Sequence, residues 1–324
     1  MSVGLDCLRK HCMPLLLSAL MVSAAARACW SQPAKAVADD GEWWIEVSVM
    51  EKTYRVRTDG KGWTEVVHAA HRGIISPDGK RVVYADSPRL NSEIFVADAN
   101  GTNVKQLTKN DFHDGSPSWT PDGARIVFDS DRSGRRSQVH VMDADGANVQ
   151  QLTREPIAAE MPKLAPDGRL AYLRLREERC KLCLMDLIVR DRAESKTIVK
   201  NPQWYSDYAW SPDGKLIAYG KLGGVVFHEL ATGKEREIQF QRDINRDLYH
   251  HGAFNLAWRP DGRAIACSIR FVGGRRVREG EKFTKMIGDE EIFIIPLNGR
   301  PTWFATRVEV SYLPRPALNW VADK

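Results

Sequence analysis

Eight histidines and six cysteines supply the groups in this 324-residue chain best suited to hold a metal ion or carry a proton. His68, His71, His113, His250 and His251 stand in polar stretches between strand-like runs. If they converged on one opening, their imidazoles could bind zinc, manganese or a similar ion. Otherwise they are solvated loop residues. Cys180-Lys181-Leu182-Cys183 has the spacing of half a zinc site but no second pair. In an oxidising compartment Cys180 and Cys183 form a local disulfide, or they remain two free thiols. Trp204, Tyr205 and Asp207 combine two aromatic anchors with a carboxylate, a composition suited to gripping a partner. Arg275, Arg276 and Arg278 open a basic stretch that reads as a solvated loop or as an arm for an acidic partner. Asp143-Ala144-Asp145-Gly146 and Asp129-Ser130-Asp131 lack the glutamate that would complete a calcium loop, and the first reads as a hairpin turn. There is no G-x-S-x-G nucleophile elbow and no phosphate-binding loop.

The elements that must position these residues are repeats. Ser76-Pro77-Asp78-Gly79, Thr120-Pro121-Asp122-Gly123, Ala165-Pro166-Asp167-Gly168, Ser211-Pro212-Asp213-Gly214 and Arg259-Pro260-Asp261-Gly262 share one form. Their prolines step by 44, 45, 46 and 48 residues. Pro and Asp open a tight turn, Gly takes the backbone geometry that other residues avoid, and an alternating strand follows. A period of this length with several short strands per unit indicates a β-propeller of four-stranded blades. Each unit reads strand A, Pro-Asp-Gly turn, strand B, loop, strand C, Asn-Gly or Asp-Gly turn, strand D. Trp119, Trp210 and Trp258 stand two residues before the motif proline, and Ala317–Lys324 copies strand A and stops where the turn would come. That segment can supply the inner strand that the first unit lacks, beside Trp44–Val49. The expectation is an all-β, six-bladed propeller over residues 42–324, closed by the C-terminal strand completing the first blade.

Ahead of it, Arg9 and Lys10 precede an apolar run over residues 13–22 and the small residues Ser23-Ala24-Ala25-Ala26. This order predicts a signal peptide over 1–28, too short to span a membrane, with cleavage after Ala25, Ala26 or Ala28. Residues 29–41 read as a linker. Cleavage after Ala28 would expose Cys29, and lipoprotein anchoring there is the alternative to a soluble periplasmic or secreted form. The chain carries a net charge of +5, and losing Arg9, Lys10, Arg27 and Asp6 with the leader leaves +3. So small a charge predicts neither nucleic-acid nor membrane-surface binding. Cys267, in a core slot of its blade, reads as an inert buried thiol.

The W-S-P-D-G turn, the I-x-V-x-D-A-x-G strand and the terminal Q-L-T resemble the TolB-like family of periplasmic propeller repeats. That resemblance implies an exported propeller that binds protein partners or cell-envelope components. In such a fold the D–A and B–C loops share one face, and variable loops on a rigid scaffold carry binding residues. His71, His113, Trp204, Tyr205, Asp207, His250, His251, Arg275, Arg276 and Arg278 all fall there. The reading is a monomeric interaction or ligand-binding module with no cofactor, rather than an enzyme. The alternative is a metal-dependent, lyase-like carbohydrate-active enzyme with its site at the channel mouth.

Overall fold

A computed structural model describes residues 43–49, 52–57, 64–66, 73–86, 91–134, 136–176, 185–191, 194–200, 207–221, 224–239, 249–272, 276–279, 282–297, 302–311 and 317–322. The described elements are strands arranged in six antiparallel sheets. Sheet 1 joins Ala317–Ala322, Trp43–Val49, Lys52–Arg57 and Thr64–Val66. Sheet 2 contains Ile74–Ile75, Arg81–Asp86, Glu93–Asp98 and Lys105–Gln106. Sheet 3 contains Asp114–Trp119, Arg125–Ser130, Gln138–Asp143 and Gln150–Gln151. Sheet 4 contains Ala159–Leu164, Leu170–Leu175, Met185–Asp191 and Glu194–Lys200. Sheet 5 contains Tyr208–Trp210, Leu216–Lys221, Gly224–Glu229 and Glu235–Gln239. The strand order within these five is A, B, C, D, from the inside outward.

The expectation of six equivalent blades needs correction: five regular four-stranded blades are present, not six. The remaining sheet, sheet 6, has five strands and a different order. Tyr249–Trp258 pairs with Ala264–Val272, which pairs with the 15-residue strand Lys282–Pro296. Both Arg276–Glu279 and Thr302–Ser311 then pair with that long strand. The basic stretch read as a B–C loop is the cause. It folds back on itself as a hairpin, so its strand runs on beyond the length of a blade and gains an extra partner.

The pairing of Ala317–Ala322 with Trp43–Val49 sets Trp320 opposite Ile45, whose side chain is fully buried. Ala317–Ala322 also touches Tyr249–Trp258 on one side and Ile74–Ile75 on the other, so contacts pass from sheet to sheet around a closed circuit. Among the described residues no helix is long and apolar enough to cross a membrane.

The repeated turn has a repeated chemistry. Ser76 Oγ donates to Asp78 Oδ1 at 2.5 Å, that oxygen also accepts Lys80 N–H, and Arg81 N–H donates back to Ser76 Oγ. Thr120, Asp122, Ala124 and Arg125 repeat the set, as do Ser211, Asp213, Lys215 and Leu216. The hydroxyl's hydrogen bond is the main reason that Asp78, Asp122 and Asp213 are held below the usual carboxylate range. The motif glycines sit at φ between +67° and +88°, where a side chain would be strained.

The core lies between sheets. Trp119 packs with Val83, Ile94 and Val96 of sheet 2 and with Ile126, Phe128 and Met142 of its own. Trp210 likewise joins Leu173, Leu187 and Val189 of sheet 4 to Ile217 and Tyr219 of sheet 5. Each indole N–H donates to the preceding sheet's strand A: Trp119 to Ile74 O at 2.8 Å, Trp210 to Lys163 O at 3.1 Å, Trp258 to Ala209 O at 3.2 Å. Tryptophan at this slot therefore both fills the gap between blades and sets their spacing.

Candidate functional site at the loop-rich end

Strand A begins, and strand B ends, at the end of the propeller opposite the Pro-Asp-Gly turns. Here charged side chains gather on sheets 3, 4 and 5. Asp114, at the start of strand A in sheet 3, is fully buried and receives a bidentate pair from Arg132 Nη2 at 2.8 and 2.9 Å. Asn110 Nδ2 adds a third bond at 2.8 Å. The Arg132 guanidinium also lies 5.1 Å from the centre of the Phe128 ring. Asp129, at the end of strand B, is buried too, and its Oδ2 accepts the N–H of Met161 from the next sheet. Burial pushes the Asp129 carboxyl up. Glu160 beside it is pushed the same way, first by burial and then by the Asp129 charge, with His113 opposing.

Sheet 5 builds a second polar junction on Asp207. Its Oδ1 accepts Lys163 Nζ from sheet 4 and its own neighbour's Tyr208 N–H, both at 2.8 Å. Its Oδ2 accepts Leu256 N–H from sheet 6 at 3.1 Å. One carboxylate thus ties three sheets together. The backbone that presents these N–H groups is bent. Ser116, Met161 and Asn255 have φ of +46°, +53° and +54°, and each lies within a register shift of strand A. All three stand three residues before the Trp119, Leu164 and Trp258 slot. The bulge turns the N–H of Met161 and of Leu256, the residue after Asn255, towards the neighbouring sheet's carboxylate.

The sequence-derived candidates distribute unevenly. His113 is exposed, its N–H donating to Asp131 Oδ1 at 2.9 Å, and lies near Asp129 across Gly115. Asp207 is engaged as a tie between sheets. His250 and His251 lie on the strand Tyr249–Trp258, and Arg276 and Arg278 on Arg276–Glu279. His71, Trp204, Tyr205, Arg275, Cys180 and Cys183 lie outside the described residues. Cys267 is a fully buried free thiol that burial pushes up. Among the described residues no three His, Cys, Asp or Glu side chains are grouped as a metal ion would require. The sequence reading passed over Arg132 and Lys163, and weighed Asp129 only as a calcium ligand. None of the three lies on a repeated slot, and only the fold brings their partners near. What the arrangement offers chemically is a rigid polar frame, with Asp114 and Asp129 buried and bonded inside it, that presents exposed His113 and the partly exposed Arg132, Glu160 and Lys163.

Known proteins match this architecture. Residues 68–220 match the family model described as the TolB β-propeller domain. The structure of TolB from Acinetobacter baumannii superposes with a TM-score of 0.55 at 18% identity, covering 93% of this chain and 71% of that one. A putative TolB from Agrobacterium tumefaciens gives 0.54 at 14% identity, covering 84% and 91%. A chain of a nidogen–laminin complex gives 0.54 at 9% identity, covering 86% and 98%. A 66-residue segment is 38% identical to dipeptidyl-peptidase 5 of Porphyromonas gingivalis, and the match spans only 10% of that protein's length. With its repeats, its sheets and the family match over 68–220 in agreement, this chain carries a TolB-like β-propeller.

Proposed function

We propose that this propeller is an interaction module of the cell envelope that grips a protein partner through its loop-rich end. One observation carries the reading: the charged groups that depart from the repeat, Asp114, Arg132, Asp129, Glu160 and Lys163, collect at that end on braced strands. Rigid, partly desolvated polar groups with aromatic neighbours are what protein interfaces use for specificity. The fold supports the same reading, since a propeller of similar shape was solved in a nidogen–laminin complex. Export rests on the basic, apolar and small-residue order of residues 9–26.

The test is crosslinking capture from the native periplasm with two multiple variants. Alanine at His113, Trp204, Tyr205, His250 and His251 is expected to abolish capture, because truncating an interface anchor commonly costs ~2 kcal/mol or more. Alanine at the exposed C–D turn residues Asn100 and Asp145 is expected to leave it unchanged. The reverse pattern would place binding at the other end. Mass spectrometry of the mature protein checks export, and an intact Met1 would refute it.

A further inference from the structure

The junction between sheets 5 and 6 differs from two of its counterparts in one side chain. Between sheets 2 and 3, the Arg81 guanidinium lies 4.6 Å from the centre of the Trp119 ring, and its Nη2 donates to Gly123 O at 3.1 Å. Between sheets 4 and 5, Arg169 lies 5.3 Å from the centre of Trp210, and its Nη2 donates to Gly214 O at 2.7 Å. Twice, then, an arginine from one turn stacks on the next sheet's tryptophan and reaches the carbonyl of that sheet's turn glycine. Arg81 follows its own turn glycine by two residues and Arg169 by one. Before Trp258 those two positions hold Leu216 and Lys215. The Lys215 side chain is 79% exposed, with its ammonium 3.5 Å from Asp213.

A cleft of about 340 Å³ occupies this junction, lined among others by Asp213, Leu216, Trp258, Asp261, Gly262 and Leu297. Trp258 is partly exposed there, fixed by its bond to Ala209 O and by an edge contact with Phe227. Asp261 Oδ1 is already taken by Arg259 Nε at 2.7 Å and Arg263 N–H at 2.9 Å. Asp213 Oδ1 is taken by Ser211 and Lys215 N–H, while its Oδ2 meets the Lys215 ammonium. Arg236 donates to Leu297 O at the rim.

We infer that this cleft takes an arginine side chain from a partner protein, its guanidinium stacked on Trp258 and donating to Asp213 Oδ2 and Gly262 O. The chain's own Arg81 and Arg169 display the stacking and the bond to the glycine carbonyl at the two sister junctions, and Arg169 also donates to Asp167 Oδ2, the counterpart of Asp213 Oδ2. A planar guanidinium suits it better than an ammonium, since it stacks on a ring while its edge donates to a carboxylate and a carbonyl. The site lies on the Pro-Asp-Gly face, so it stands or falls independently of binding at the loop-rich end.

The experiment titrates a short blocked arginine peptide into the full mature chain and follows the Trp258 indole N–H by NMR, assigned with Trp258→Phe. The arginine peptide is expected to shift that resonance saturably, and a citrulline peptide of the same sequence is not. Leu216→Arg supplies the chain's own guanidinium and should weaken binding at least about tenfold. Lys215→Gln removes the competing ammonium and should tighten it. Should Leu216→Arg fail to fold, Asp213→Asn is the second variant, with several-fold weaker binding expected. Equal binding of citrulline, no shift at millimolar peptide, or unchanged affinity in the variants would overturn the inference.

Discussion

At the turn end, Ser76, Thr120 and Ser211 each give a hydroxyl proton to the aspartate two residues on, and Trp119, Trp210 and Trp258 each reach back to the preceding sheet. At the loop end the same structural need is met differently each time. Asp114 is neutralised within sheet 3 by Arg132, Asp129 caps the bulge of sheet 4, and Asp207 joins sheets 4, 5 and 6. Repetition marks the end whose task is to set blade spacing. Departure from the repeat marks the end free to acquire a surface of its own.

This contrast can be broken by substitution, and the largest effect belongs to the turn end. Trp119→Ala leaves a cavity between sheets 2 and 3 and frees Ile74 O, so it is expected to cost about 3–5 kcal/mol in urea unfolding, a large share of a typical ~5–15 kcal/mol total. Asp207→Ala follows, at about 2–3 kcal/mol, because it leaves the Tyr208 and Leu256 N–H groups without their acceptor and the Lys163 ammonium without its counter-charge, held by Tyr208 O alone. If Asp207→Ala left stability untouched and abolished partner capture instead, Asp207 would be a contact residue and not a tie between sheets.

The smallest effect has the opposite sign. Glu160 is pushed up by burial and by Asp129, so at neutral pH the folded state holds a charge it disfavours relative to the unfolded chain. Its charge therefore lowers stability above its folded-state value, and that loss vanishes as pH falls below the ordinary glutamate range. Glu160→Gln is expected to raise the melting temperature by about 2 °C at pH 7 and to make no difference in acid. A variant less stable than wild type at pH 7 would mean that the carboxylate has a stabilising partner.

Much of the turn end was legible in the sequence because a few residues each perform one local task. Proline and aspartate bend the chain, glycine accepts φ near +70°, and tryptophan fills a fixed slot. Even the pairing of Ala317–Ala322 with the first sheet could be read, since its Trp320 stands in the same register as the other tryptophans. The irregular sixth sheet could not. Residues 275–285 are polar and basic, and nothing local distinguishes a solvated loop from a hairpin whose partner strand lies ahead. The bulges were hidden for another reason: Ser116, Met161 and Asn255 share a backbone conformation and no side-chain chemistry. Asp207 could be read as a polar residue entering the fifth unit, but not as a tie between sheets, because its partners Lys163 and Leu256 lie 44 and 49 residues away. The stacked arginines escaped notice since Arg81 and Arg169 occupy different offsets from their glycines and meet only through the next blade.

The seam between Trp43–Val49 and Ala317–Ala322 also orders events in time. These strands come from opposite extremes of the described chain, so among the described pairings theirs closes the longest loop and carries the largest entropic delay. During synthesis sheets 2 to 5 can form from neighbouring segments as they emerge, whereas Trp43–Val49 must wait with one edge bare until residue 322 has been made. The seam is therefore the step at which a stalled or truncated product is recognisable: its sheets are formed, its first strand has an open edge, and that edge is free to pair with another copy.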